Sequence, residues 1–123
     1  MGTLIDQHYR EVRERALLFS FTIKVNLALV QDEEDFYFSG DYDISGIVNV
    51  SGQIDPRGPI TGDCEERVEL NSGNVIQYRV ENWSYEDGEV ACTLSVEAEY
   101  QALGKKRRVV IFESVQYAGE LTS

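Results

Sequence analysis

Glu113 is the one charge in an otherwise apolar alternation of Val109, Ile111, Glu113, Val115 and Tyr117. In a strand, such alternation puts all five side chains on one face. Glu113 is therefore expected to point inward, where desolvation would raise its pKa and make it an acid or base. Glu66, in the phase of Cys64 and Val68, is a second candidate. The competing reading is structural: an inward charge guards a strand edge, or a bulge turns Glu113 outward. His8, the one histidine, stands beside Tyr9 with no nucleophile motif, phosphate-binding glycine loop or metal-ligand spacing around it. No hydrolytic triad is read.

Asp41-Tyr-Asp43-Ile-Ser45-Gly46-Ile-Val-Asn49 resembles the start of a calcium-binding EF-hand loop. Asp41, Asp43, Ser45 and Asn49 would supply oxygens, and Gly46 the sharp turn. The loop's twelfth position needs a bidentate carboxylate, and here it is Gly52. The simpler reading is the wet face of a strand with Tyr42 and Ile44 inward. Cys64 and Cys92 are read as buried thiols, with a single disulfide between two inward strands as the alternative, and with His8 they are too few for a usual structural zinc site. No cofactor is expected.

The remaining polar signal is charge. The 123 residues carry 22 acidic and 11 basic side chains, a net −11. The sequence pI is near 4.4. Such a field repels nucleic acid and anionic membranes and draws basic partners. Acids concentrate in Asp32-Glu33-Glu34-Asp35, in Glu86-Asp87 with Glu89, and in a polar phase that includes Glu97 and Glu99. Lys105-Lys106-Arg107-Arg108 is the one basic cluster, at a hairpin where it can face Glu97 and Glu99. Aromatics make up 11% of the chain, and tyrosines on a curved sheet would suit a ligand carrying polar groups.

These residues need a scaffold. Phe19–Val30 alternates Phe19, Phe21, Ile23, Val25, Leu27 and Leu29 with polar or small residues, which predicts one long strand of about 40 Å. Thr3–Leu17 reads as a helix. Thr3 and Asp6 fit a capping box, Ile5, Tyr9 (or His8), Val12 and Ala16 form a stripe, and Glu11–Arg15 is an i,i+4 pair. A second long strand is expected over 36–51, bent at Gly40 and Gly46, and hairpinned onto the first. A Pro- and Gly-containing loop follows over 53–63. Strands over 64–70, 75–85, 89–102 and 106–117 are then joined at Gly-containing turns. A phase switch between Val80 and Trp83 predicts a bulge.

The expected fold is α+β: a single domain over 1–123, with an N-terminal helix packed on a curled antiparallel sheet of about six strands. The alternative is a β-barrel with the helix plugging one end. Phe19, Phe21, Ile23, Leu27, Ile44, Val48, Val90, Leu94, Val96 and Ile111 are expected in the core. No apolar run reaches the ~20 residues of a membrane helix, and no signal peptide is visible, so a cytoplasmic protein is expected. The leading functional reading is a non-enzymatic acidic interaction module, of inhibitor, immunity or adaptor type. It would dock a basic protein surface through Asp32–Asp35, Glu86, Asp87, Glu89, Glu97 and Glu99. A small-molecule binder, or an enzyme using Glu113, is the alternative. A self-assembling homo-oligomer is a third reading, because long strands pair readily between copies.

Overall fold

A computed structural model describes residues 2–16, 19–46, 49–54, 58–69, 74–102 and 104–120. The described residues contain no helix, which overturns the α+β expectation. The strands are β1 (Thr3–Ala16), β2 (Phe19–Asp32), β3 (Asp35–Ser45), β4 (Val50–Ile54), β5 (Cys64–Glu69), β6 (Val75–Glu86), β7 (Glu89–Ala102) and β8 (Lys105–Glu120). They form two four-stranded antiparallel sheets, ordered β1-β2-β3-β4 and β5-β6-β7-β8. The sheets do not close into a barrel, so neither the curled sheet under a helix nor the helix-plugged barrel is found. No helix among the described residues is long and apolar enough to cross a membrane.

Of the helix expected over 3–17, Leu17 lies outside the described residues, and residues 3–16 form β1. Its register on β2 runs unbroken from Asp6↔Leu29 to Ala16↔Phe19. Gln, Glu and Arg fill this segment and permit a helix, but local propensity is a weak prior against the long partner edge that β2 offers. Ile5 is an extra residue in β1, between the pairs Leu4↔Val30 and Asp6↔Leu29. That bulge shifts the inward phase, and the spacing of Ile5 and Val12 then mimics a helical stripe.

The single long strand expected over 36–51 is two strands. β3 and β4 pair with each other from Gly40↔Ile54 to Ile44↔Val50. Gly46 makes the break at φ 144°, where a Cβ would stand 2.7 Å from the Ser20 carbonyl oxygen. Alternation survives a short turn, so period alone does not reveal it.

The core lies between the sheets. β2 buries Phe21, Ile23, Val25, Leu27 and Leu29, and β7 buries Val90, Cys92, Leu94, Val96, Ala98 and Tyr100. Burying each large apolar side chain contributes about 1.5–3 kcal/mol. Edge-on aromatic pairs join the layers: Phe21 to Tyr100 at 4.9 Å and Phe38 to Tyr117 at 5.2 Å between ring centroids. Of the other expected core residues, Ile111 is buried and Ile44 is partly buried. The side chain of Phe19, and Val48, lie outside the described part.

Candidate functional site

Two hairpin turns bring acidic residues to one end of the molecule. The β2–β3 turn places Glu33 at φ 59°. The β6–β7 turn has Asp87 at φ 52° and Gly88 at φ 77°, the backbone of a type I′ hairpin that an Asp-Gly pair prefers. Phe36, just after the first turn, packs edge-on against Trp83 at 5.3 Å and Tyr85 at 5.0 Å, just before the second. The loop between β4 and β5 crosses the same end. Ile60 N–H donates to the Phe36 carbonyl at 2.7 Å, and Trp83 N–H to Asp63 Oδ1 at 2.9 Å. That Trp83 donor is released by a bulge between Glu81 and Ser84, with Asn82 at φ 56°.

The result is a cap of exposed carboxylates: Asp32, Glu33, Glu34, Asp35, Asp63, Glu86, Asp87, Glu89 and Glu120. Glu89 pairs in register with both Glu86 and Glu120. Burial pushes the Tyr37 phenol up, and the negative field of Asp35, Asp32 and Glu33 adds to the effect. The described Lys and Arg residues stand elsewhere. Arg10, Arg13, Arg15 and Lys24 pair on β1–β2 from the level of Val25 down to Ser20. Arg67, Arg79, Lys106, Arg107 and Arg108 occupy the corresponding part of the other sheet.

Glu97 and Glu99, expected with these acids, are not part of the cap. They belong to the far half of the outer face, and Glu99 is held by two arginines. Arg67 Nη2 lies 2.8 Å from its Oε2 and Arg108 Nη2 lies 2.8 Å from its Oε1. Arg108 also stands 3.6 Å from Glu97. Hydrogen bonds from Arg67 and then Arg108 hold the Glu99 carboxyl down at about 2.

Glu113 does not face the core. β8 has bulges where Leu94↔Val115 gives way to Val96↔Phe112 and then to Glu97↔Val110, with Ser114 at φ 50°. Phe112 takes the interior place beside Ile111, and Glu113 is exposed. Glu66 does stay half-buried and accepts a hydrogen bond from the Tyr78 hydroxyl at 2.7 Å. Asp41 and Asp43 are exposed on β3, and Asn49 Oδ1 accepts from Gly46 N–H at 3.3 Å. Among the described residues, no three His, Cys, Asp or Glu side chains gather as for a metal. A cleft lined by Tyr100, Ile76, Ala98 and Ile111 encloses about 10 Å3, the room of roughly one water.

Sequence reasoning missed a polar latch between the sheets. Asp6 Oδ2 accepts from Ala118 N–H at 2.9 Å and lies 3.3 Å from His8 Nε2. The His8 ring stands edge-on to Tyr117 at 4.5 Å, and the Tyr117 hydroxyl donates to the Leu27 carbonyl at 2.8 Å. Burial, with Asp6 adding, pushes the neighbouring Cys92 thiol up to about 12, so it is no nucleophile at neutral pH. This cluster ties β1 to β8. The usable signal was Ile5-Asp6, an apolar and a charged residue that a bulge turns toward the same side.

No family model, no curated protein and no solved structure matches this chain. The fold and the charged end define a two-sheet antiparallel β-protein with an acidic pole.

Proposed function

We propose that the protein is a non-enzymatic interaction module that docks a basic protein surface through its acidic end. The observation that supports this reading is the segregation of charge. The exposed carboxylates of the β2–β3 and β6–β7 turns share one end with Asp63 and Glu120, and the described Lys and Arg residues lie away from it. Like charges held together destabilise the fold that carries them, and they steer and orient a cationic partner. The ring contacts of Phe36 with Trp83 and Tyr85 hold the turns in fixed relation, which limits the ordering cost on binding. Glu97 and Glu99 are left out of the docking site because arginines of the same chain occupy them. A reducing, cytoplasmic setting belongs to this reading and fits the free thiols of Cys64 and Cys92.

The test compares the wild type, immobilised, with a variant combining Glu33→Gln, Glu34→Gln, Glu86→Gln and Asp87→Asn. The expected result is retention of basic proteins that falls steeply with added salt and drops about tenfold or more in the variant. Equal retention by both proteins would remove the acidic end as a docking site.

A further inference from the structure

The two sheets meet along a seam between β1 and β8 that is joined at one end and open at the other. At the joined end, Asp6 accepts from Ala118 N–H, and a Cβ on Gly119 would lie 2.8 Å from the Ile5 carbonyl oxygen. Below that point β1 pairs with β2 and β8 with β7, and no backbone pairing between β1 and β8 is found among the described residues. Side chains span the gap instead. The Arg10 guanidinium lies 5.8 Å from the centre of the Phe112 ring. Burial pushes the Tyr100 phenol up, and it feels the charges of Glu14 on β1 and Arg107 on β8.

The two edges are rich in basic residues, interleaved on β1 with Glu11 and Glu14. Arg13 and Arg15 pair with Thr22 and Ser20, while Arg108 and Lys106 pair with Glu99 and Gln101. The Phe21–Tyr100 contact sets these pairs at matching heights, so Arg13 and Arg15 line one lip of the opening and Arg108 and Lys106 the other. All four are exposed. The exposed apolar residues Tyr9 and Val110 lie above them on the same two strands, with the exposed Glu11 between Tyr9 and Arg13. Inside the lip, Arg107 Nε is buried without an acceptor, and a buried donor left unpaired costs about 1–3 kcal/mol.

From these features we infer that the open seam takes an extended acidic segment of a partner protein as an added strand on the Lys105–Val110 edge of β8. Main-chain hydrogen bonds would supply the affinity, as in other strand additions. One acidic side chain of the segment would stand between Arg15 and Lys106 and the next beside Arg13, because the Arg108 opposite is already held by Glu99 and Glu97, with an apolar side chain against Val110. The β8 bulges set the upper limit of the pairing segment, because regular register ends after Val110. A polypeptide fits better than a nucleic acid, since an edge of amide donors and carbonyl acceptors is read by another backbone and the net −11 repels a polyanion. This site is separate from the acidic end and takes a partner of opposite charge.

The probe is a labelled, end-capped peptide of alternating Glu and Val, with a second version N-methylated at every other amide. Binding is read by fluorescence anisotropy, and hydrogen exchange is followed at the amides of 106–110. The expected result is saturable binding that slows exchange at those amides. Affinity should weaken about tenfold or more in Arg13→Glu and in Lys106→Glu, and on N-methylation. Both substitutions are at exposed positions, and unchanged circular dichroism verifies the fold. Absence of binding at about 1 mM, equal affinity for the N-methylated peptide, or unprotected amides at saturation each overturns the inference. Protection that appears without peptide and rises with protein concentration assigns the edge to a second copy of the chain, and overturns it as well.

Discussion

Glu99 shows how a single residue can be misjudged when only its charge is known. In the sequence it is one of many acids on a polar phase. In the structure its side chain is 12% exposed and is gripped by Arg67 and Arg108. Because its folded pKa is depressed from 4.5 to about 2, its contribution to stability is present above the unfolded value and is lost as pH falls toward 2. Urea midpoints measured from about pH 6 down to about pH 2 should therefore fall more for the wild type than for Glu99→Gln. Parallel curves would show that the two arginines contribute nothing measurable. Glu113 teaches the converse. Its place in an apolar alternation is real, but two bulges in β8 reset the phase and Phe112 takes the interior position.

Element by element, the turns were easier to read than the first strand. The Asp87-Gly88 pair announces a type I′ turn, and the loss of phase between Val80 and Trp83 announces the bulge that lies there. The β2–β3 turn carries no such signal, because it places Glu33 rather than glycine at φ 59°. A left-handed backbone costs a non-glycine residue roughly 1–2 kcal/mol. Glu33→Gly also removes one charge from a crowded turn, while the freer unfolded chain offsets part of the gain. Chemical denaturation should show a stabilisation of about 0.5–1 kcal/mol. A loss of stability would mean that the Glu33 side chain makes a contact outweighing its strain. β1 defeats local reading for a different reason. Its Arg- and Glu-rich sequence fits a helix or an edge strand, and pairing with β2 decides between them.

For the molecule as a whole, the latch at the joined end of the seam sets how the sheets sit on each other. Gly119 allows the approach, since an added Cβ would stand 2.5 Å from Ile5 Cγ2 and 2.8 Å from the Ile5 carbonyl oxygen. Gly119→Ala is expected to destabilise the fold by about 2–3 kcal/mol through overpacking. Gly62→Ala, with nothing within 4 Å, serves as the neutral control. Thermal melts of the two variants test this, and equal melting temperatures would mean the seam can spread without cost. The same geometry puts the acids of the two turns at the closed end of the seam and the described Lys and Arg residues toward the open end, where Glu11, Glu14, Glu97 and Glu99 stand among them.

The alternation in β2 and β7, the Asp-Gly turn and the net charge are properties of neighbouring residues, so the sequence alone determined an antiparallel meander with an acidic surface. Whether Thr3–Ala16 became helix or strand depended on β2. Which way Glu113 pointed depended on the register with β7, and which acids stayed clear of arginines depended on strands distant in the chain. Each of these is a non-local pairing whose free energy exceeds local preference, and so only the tertiary structure decided them.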